Sequence, residues 1–181
     1  MADIDYCQEI TGTDSYTKKV GDEAFNLDVK AEGKLSYESD NEDVVVVSKT
    51  GKVHVVGEGT ATITVKAAAT DSYKAAKATV KITVNPKKAT ISKVSSTKKT
   101  QAKVTWKKDS KVTGYQVVYA SNKSFTRNVT TVSVKKNTTT SLTIKNLSSK
   151  KRVYVRVRSY KTVNAKKMYG KFSTVKSVKV K

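Results

Sequence analysis

The sequence predicts an all-β protein made of two tandem β-sandwiches, and three observations lead to this fold class. β-Branched residues are frequent, and apolar residues alternate with polar ones instead of recurring at a helical period. Turn-forming residues divide these alternating runs into short segments. The third observation is a change of charge at Pro86, the only proline. A length of 181 residues suits two domains, which we place at 1–86 and 87–181.

The two halves of the chain differ strongly in charge. Residues 1–86 contain 10 Lys and Arg against 14 Asp and Glu, whereas residues 87–181 contain 26 Lys and Arg and one acid, Asp109. This asymmetry predicts two modules with different surfaces, of which the second attracts polyanions. Proline has no N–H to donate to a β-ladder, so Pro86 is expected at a strand end or in the link between the modules.

Short alternating segments in the first half predict its strands. Residues 24–31, 60–67 and 79–84 each alternate apolar and polar side chains. A period of two with one polar face is typical of an antiparallel sheet that has one face in water. Residues 44–47 are instead a continuous run of valines, which predicts a strand buried on both faces or an edge strand under cover.

The second half repeats this pattern with different residues. Alternating runs cover residues 102–106, 114–120, 141–147 and 153–158, and Lys-, Ser- and Asn-rich turns separate them. Several strands at this spacing without helical segments indicate a sandwich or a barrel.

These segments resemble two known families. The stretch LSYESDNEDVVVVSKTGKVHVVGEGTATITVKAAATDSY, followed by ATVKITV, resembles the group 2 bacterial immunoglobulin-like domains over residues 10–85. Residues 87–181 resemble fibronectin type III modules of Gram-positive bacterial surface proteins, through VTW, GYQVVYA, SFTRN, NLSSKKRVYVRVRSY and MYGKFS. The second family usually has a tyrosine six residues after its leucine, whereas here Val153 follows Leu147 at that spacing. The resemblance implies two tandem immunoglobulin-like and fibronectin type III-like β-sandwiches at the bacterial cell surface, outside the cell.

The residue types that catalysis and metal binding need are scarce. His54 is the only histidine and Cys7 the only cysteine, and no motif connects the two. We therefore expect no enzyme activity, no cofactor, no metal and no internal disulfide. The acidic run at 40–43 offers hard oxygen ligands that suit calcium, but a solvated turn accounts for it more simply. No apolar run reaches the about 20 residues of a membrane-spanning helix.

One strand of the second half carries a candidate ligand face. If the valines of 153–157 point into the core, the period of two places four other side chains outward. These are Tyr154, Arg156, Arg158 and Tyr160. Arginine binds phosphate and carboxylate groups bidentately, and tyrosine rings offer flat surfaces to sugars or bases. The alternative is that exposed arginines only protect the strand from aggregation.

These observations predict a non-catalytic, monomeric segment of a secreted or cell-wall-attached bacterial protein. Its modules would serve as a stalk or spacer, with the basic module contacting an anionic cell-wall polymer or polysaccharide through salt-dependent contacts. Two alternatives stay open: an adhesin module for a host glycan or a host protein such as mucin or immunoglobulin, and an accessory module of a larger surface enzyme. Specific nucleic-acid recognition is not expected, because no motif supports it.

Overall fold

The computed structural model describes residues 6–181, and the chain divides into two compact units. Unit 1 is Met1–Asn85 and unit 2 is Pro86–Lys181. The described residues form strands, turns and loops without any helix, which confirms the all-β fold class. Accordingly, none of these residues belongs to a helical segment that could cross a membrane.

Unit 1 is a sandwich of a four-stranded and a three-stranded sheet with two short additional pairs. Strands β3, β11, β9 and β6 form the first sheet, and β4, β8 and β7 form the second. Strand β3 joins its sheet in parallel, alongside β11, and β1 also pairs with β10 in parallel, whereas the other strand pairs described in unit 1 are antiparallel. The bounds are β1 Tyr6–Cys7, β2 Thr11–Gly12, β3 Ser15–Lys19, β4 Phe25–Asn26, β5 Val29–Lys30, β6 Leu35–Ser39, β7 Val45–Val47, β8 Lys52–Val55, β9 Gly59–Ala67, β10 Tyr73–Lys74 and β11 Ala76–Asn85.

The core of unit 1 follows the predicted alternation. Ala61, Ile63 and Val65 of β9 are buried together with Val80 and Ile82 of β11. They belong to one apolar cluster that also includes residues of the second sheet. Full burial stabilises each such side chain by roughly 1.5–3 kcal/mol relative to exposure.

Two predictions for unit 1 need correction. The run 24–31 is not one strand, because it divides into β4, which pairs with β8, and β5, which pairs with β2. The valine run is not covered throughout either. Its strand β7 pairs only with β8 at the edge of its sheet, which leaves Val46 39% exposed.

Unit 2 is a sandwich of a three-stranded and a five-stranded sheet. Strands β12, β13 and β16 form the first, whereas β15, β14, β17 and β18 form the second, with β19 also pairing with β17. The bounds are β12 Ile91–Ser95, β13 Ala102–Trp106, β14 Gly114–Ala120, β15 Thr130–Val134, β16 Ser141–Ile144, β17 Arg152–Val163, β18 Lys166–Tyr169 and β19 Lys176–Lys179.

The core of unit 2 contains the inward face of β17 and two large buried rings. Val153, Val155 and Val157 are buried, as the alternation predicts. Trp106 and Tyr115 belong to the same cluster, and their ring centroids lie 5.4 Å apart in an edge-on arrangement. The inward valines leave the other side chains of β17 on the outer face of the five-stranded sheet.

Candidate functional site

The four predicted ligand-face residues lie on β17, but they do not form one exposed surface. Tyr154, Arg156 and Arg158 are half-buried, and Tyr160 is only 2% exposed. The expectation that all four face outward into solvent is therefore wrong for Tyr160.

Tyr160 is buried because of its neighbours in the sheet. Its register partner on β14 is Gly114, and on β18 it is Tyr169. The Tyr160 hydroxyl lies 3.4 Å from the Val134 carbonyl oxygen, to which it donates a hydrogen bond. A side chain at Gly114 would overlap both this carbonyl and the Tyr160 hydroxyl. The tyrosine thus covers the space that the glycine leaves open.

Arg156 and Arg158 lie between aromatic rings in what we call the arginine–aromatic stack. The Arg156 guanidinium carbon lies 4.2 Å from the Phe125 ring centroid and 4.1 Å from that of Phe172. The Arg158 guanidinium carbon lies 4.5 Å from the Phe172 centroid and 3.8 Å from that of Tyr169. Phe172 therefore contacts both guanidinium groups. Each cation–π contact contributes roughly 0.5–2 kcal/mol, depending on how far it is desolvated.

Two loops supply the phenylalanines of this stack. Phe125 lies between β14 and β15 and adopts a left-handed backbone with φ of 55°. Phe172 lies between β18 and β19 and is held by its neighbour Ser173. The Ser173 N–H donates to the Val157 carbonyl at 2.7 Å, and the Ser173 hydroxyl accepts from the Val157 N–H at 3.0 Å. These bonds fix the loop alongside β17, so Phe172 lies over the two arginines.

The environment of the arginines favours packing over ligand binding. Arg158 donates from Nε to the Gln116 Oε1 at 2.7 Å. Burial is the main cause that lowers the pKa of Arg158. Its interaction with Tyr169 raises this pKa, and the positive charge of Arg156 lowers it further. The Arg156 Nε is buried without a hydrogen-bond partner among the described residues. Since rings cover the guanidinium planes, only their terminal nitrogens remain available for a ligand.

Tyr154 belongs to a different part of the surface. It lies near the start of β17 and lines a groove at one end of unit 2. The structure thus places Arg156 and Arg158 in one cluster, with Tyr160 buried beside them and Tyr154 in the groove. The contributions of Phe125, Tyr169 and Phe172 were not predicted. The motifs SFTRN and MYGKFS drew attention to these rings, but periodicity assigns no face to residues in loops.

The remaining candidates of the sequence are located as follows. Cys7 is an exposed free cysteine, and His54 is exposed on β8. In the acidic run, the Asp40 carboxylate accepts the Thr62 N–H at 2.7 Å, and the Asn41 carbonyl accepts the N–H groups of Val44 and Val45. No cluster of three metal-ligating side chains occurs within residues 6–181. The hydrogen bonds of Asp40 and Asn41 make the run a turn.

Comparison with protein families finds a match in unit 1. Residues 24–70 match the family model described as the immunoglobulin-like domain of intimin. This match supports an immunoglobulin-like domain of a bacterial surface protein. The match covers too little of the chain to show that the chain belongs to this family. It also does not support the more specific resemblances to group 2 domains and to Gram-positive proteins. No curated protein is similar enough to the chain to count as a match.

Solved structures resemble the chain only distantly. The 6th fibronectin type III domain of a human fibronectin type III domain containing protein is 22% identical, covers 52% of this chain and 81% of its own, and has a TM-score of 0.39. The FN1-FN3 domains of chicken CNTN1 are 16% identical, with coverages of 99% and 69% and a TM-score of 0.42. A computationally redesigned β-sandwich protein is 24% identical, with coverages of 50% and 84% and a TM-score of 0.41. Because these TM-scores are all below 0.5, the fold assignment rests on the strands and their pairing in this structure.

Proposed function

We propose that the chain is a non-catalytic segment of an extracellular bacterial surface protein. In this proposal unit 1 is a spacer, and unit 2 contacts anionic polymers such as wall teichoic acid, acidic polysaccharide or host glycosaminoglycan. The surface location is supported by the intimin-domain match at residues 24–70. The polymer contact is supported by charge, which is the observation that carries this part of the proposal.

The charge of unit 2 cannot be neutralised from within the unit. Residues 87–181 contain 26 Lys and Arg and the single acid Asp109. Asp109 is already engaged in a turn, where its carboxylate accepts the Lys111 N–H at 3.1 Å and its own N–H donates to the Tyr115 hydroxyl at 2.7 Å. Such a large excess of positive charge attracts polyanions, and the range of this attraction shortens as the salt concentration rises.

Unit 1 differs in this respect. Its ten Lys and Arg are outnumbered by 14 Asp and Glu, and it contains ion pairs of Lys19 with Asp22 and of Lys66 with Glu38. An anionic polymer is therefore expected to contact unit 2 and to be repelled weakly by unit 1.

Binding of the full-length chain to immobilised teichoic acid tests this proposal. Salt is varied because binding through many lysines releases counterions and weakens steeply as salt rises. One variant changes four exposed lysines of unit 2 to Gln, and a matched variant changes four exposed lysines of unit 1. The sets are Lys107, Lys108, Lys135 and Lys136 in unit 2, and Lys30, Lys52, Lys74 and Lys77 in unit 1.

We expect the unit 2 variant to bind more weakly and with a shallower salt dependence. The unit 1 variant should lose much less affinity, because its lysines make no proposed contact with the polymer and their removal only adds to the weak repulsion by unit 1. Equal losses in the two variants, or no binding even at low salt, would overturn the proposed polymer contact.

A further inference from the structure

A groove of about 920 Å³ opens at one end of unit 2. We call it the end groove; it lies between the loop joining β14 to β15 and the loop joining β16 to β17. Its volume falls in the range of about 300–1,000 Å³ that is typical of small-ligand sites. The side chains that matter for its chemistry are Tyr119, Arg127, Lys145, Lys151, Arg152 and Tyr154.

The first wall of the end groove is held in place by Asn122. Its side-chain oxygen accepts the Thr126 N–H at 3.1 Å and the Arg127 N–H at 3.0 Å. The Ser121 N–H in turn donates to the Arg127 carbonyl at 3.1 Å. These bonds close the loop on itself and fix the backbone from which Arg127 projects.

The second wall is tied to the last strand and to a neighbouring loop. The Lys150 N–H donates to the Val180 carbonyl, and the Val180 N–H donates to the Lys151 carbonyl, both at 2.8 Å. The Leu147 N–H donates to the Thr100 carbonyl at 2.9 Å. Both walls are thus ordered by internal hydrogen bonds before any ligand arrives, which lowers the entropic cost of binding.

The lining combines four cations with two aromatic rings. Arg127, Lys145, Lys151 and Arg152 are exposed, whereas Tyr119 and Tyr154 are half-buried. Arg152 is positioned by a bond from its Nη1 to the Ser177 hydroxyl at 3.1 Å. The only acid of unit 2, Asp109, does not line the groove. Guanidinium groups suit carboxylates and sulfates, and tyrosine rings offer flat apolar faces with polar hydroxyls.

We propose that the end groove is a specific site for an acidic oligosaccharide, with sugar rings against the tyrosines and carboxylate or sulfate groups on the cations. This inference rests on the proposed function, because it assigns one defined site within the polymer contact. A short groove at the end of a sandwich favours a few sugar residues over a nucleic-acid strand, since single-stranded nucleic acid follows an extended basic track with successive stacking rings.

Calorimetric titration of the full-length chain with a heparin-derived hexasaccharide at physiological salt tests the site. The groove variant changes Lys145 and Lys151 to Gln, and the control variant changes the exposed Lys93 and Lys103 of the three-stranded sheet to Gln. Both lose the same charge. We expect saturable binding that the groove variant weakens by about tenfold, whereas the control variant changes it less than about twofold.

A second variant, Tyr154→Ala, separates ring contacts from charge. We expect it to weaken hexasaccharide binding by about fivefold and to leave inorganic polyphosphate binding unchanged, because polyphosphate has no ring to pack on tyrosine. Its melting temperature is measured alongside, and the two lysine variants test the site independently of it.

The outcomes distinguish this inference from the proposed function. Three results would overturn the end groove as a saccharide site while leaving the polymer contact in place. They are no saturable hexasaccharide binding by the unaltered chain, equal losses in the groove and control variants, and equally tight binding of a single-stranded oligonucleotide. Failure of the unaltered chain to bind teichoic acid at low salt would instead remove the proposed function on which the inference rests.

Discussion

The central strands β9 of unit 1 and β17 of unit 2 bury one face in the same way, but their outer faces differ. On β9, Thr62 and Thr64 lie outward between buried apolar residues, and the nearby Lys66–Glu38 pair is exposed to water. On β17, Arg156 and Arg158 occupy the corresponding outward positions beneath aromatic rings. The outward side chains of β9 form the outer surface of their sheet. On β17, rings from loops form a second layer over the arginines. Alternation therefore predicts which face of a strand enters the core, but not whether loop residues cover the opposite face.

Removing the ring that both arginines contact should have the largest effect on stability. Phe172→Ala deletes the contacts of Phe172 with Arg156 and Arg158, so we expect unit 2 to lose about 2–3 kcal/mol of unfolding free energy. Trp106, the only tryptophan, lies in the core of unit 2, so its fluorescence during urea unfolding reports on this unit alone.

The matched change on the outer face of β9 is Thr64→Ala in unit 1, where Thr64 is half-buried. A surface substitution of this kind should alter unfolding free energy by at most about 0.5 kcal/mol, which circular dichroism of the whole chain can measure. If both variants had equally small effects, the stack would contribute nothing beyond an ordinary outer face.

The glycine beneath Tyr160 should produce the next largest effect. In Gly114→Ala the new methyl group would overlap the Val134 carbonyl and the Tyr160 hydroxyl. We expect a loss of about 1–3 kcal/mol from unit 2, as is typical of overpacked sites. Trp106 fluorescence measures this as well, and an unchanged urea midpoint would show that the sheet adjusts without cost.

A conservative change in the stack should have a smaller but specific effect. Arg158→Lys keeps the charge, but it removes the planar group over Tyr169 and Phe172 and the bond from Nε to Gln116. We expect a loss of about 1 kcal/mol, because lysine neither stacks nor donates in the same geometry. The Gln116→Ala variant removes only the hydrogen bond between Arg158 and Gln116. Arg158→Lys should therefore lose more unfolding free energy than Gln116→Ala.

The smallest expected effect is a dependence of unit 2 stability on alkaline pH. Burial raises the pKa of the Tyr115 phenol above its ordinary value of 10.0; the bond with the Asp109 backbone lowers it, and the Asp109 charge raises it. The folded unit therefore holds this proton more tightly than the unfolded chain does. The resulting stabilisation is complete below the unfolded pKa and is lost as pH rises above it toward the folded pKa.

Urea unfolding followed by Trp106 fluorescence between neutral pH and the alkaline range measures this slope. In Tyr115→Phe the alkaline slope should become shallower, even though the variant is less stable at neutral pH because the Asp109 N–H loses its acceptor. An unchanged slope would assign the pH dependence to other groups.

Much of the fold was predictable because its signal is local. Ile63, Val65, Val155 and Val157 are buried where alternation predicts, since neighbouring side chains of any strand point to opposite faces. The valine run was harder, because the exposure of Val46 depends on whether another strand pairs beyond β7. That depends on the arrangement of the whole sheet and not on the run itself.

The candidate site was predictable only in part, for a similar reason. Alternation correctly separated Arg156 and Arg158 from the core, but the burial of Tyr160 depends on Gly114, which lies far away in the sequence and opposite it in the sheet. The rings of Phe125 and Phe172 reach the arginines from loops, where no period relates a residue to a face.

The all-β class, the inward face of the central strands and the division of charge were evident from the residues alone, because they follow from composition and from a period of two. The folded chain was needed to show that rings enclose Arg156 and Arg158, and that Arg127, Lys145 and Tyr154 line one groove. Such contacts join residues from loops and strands that are distant along the chain, and only folding brings them together.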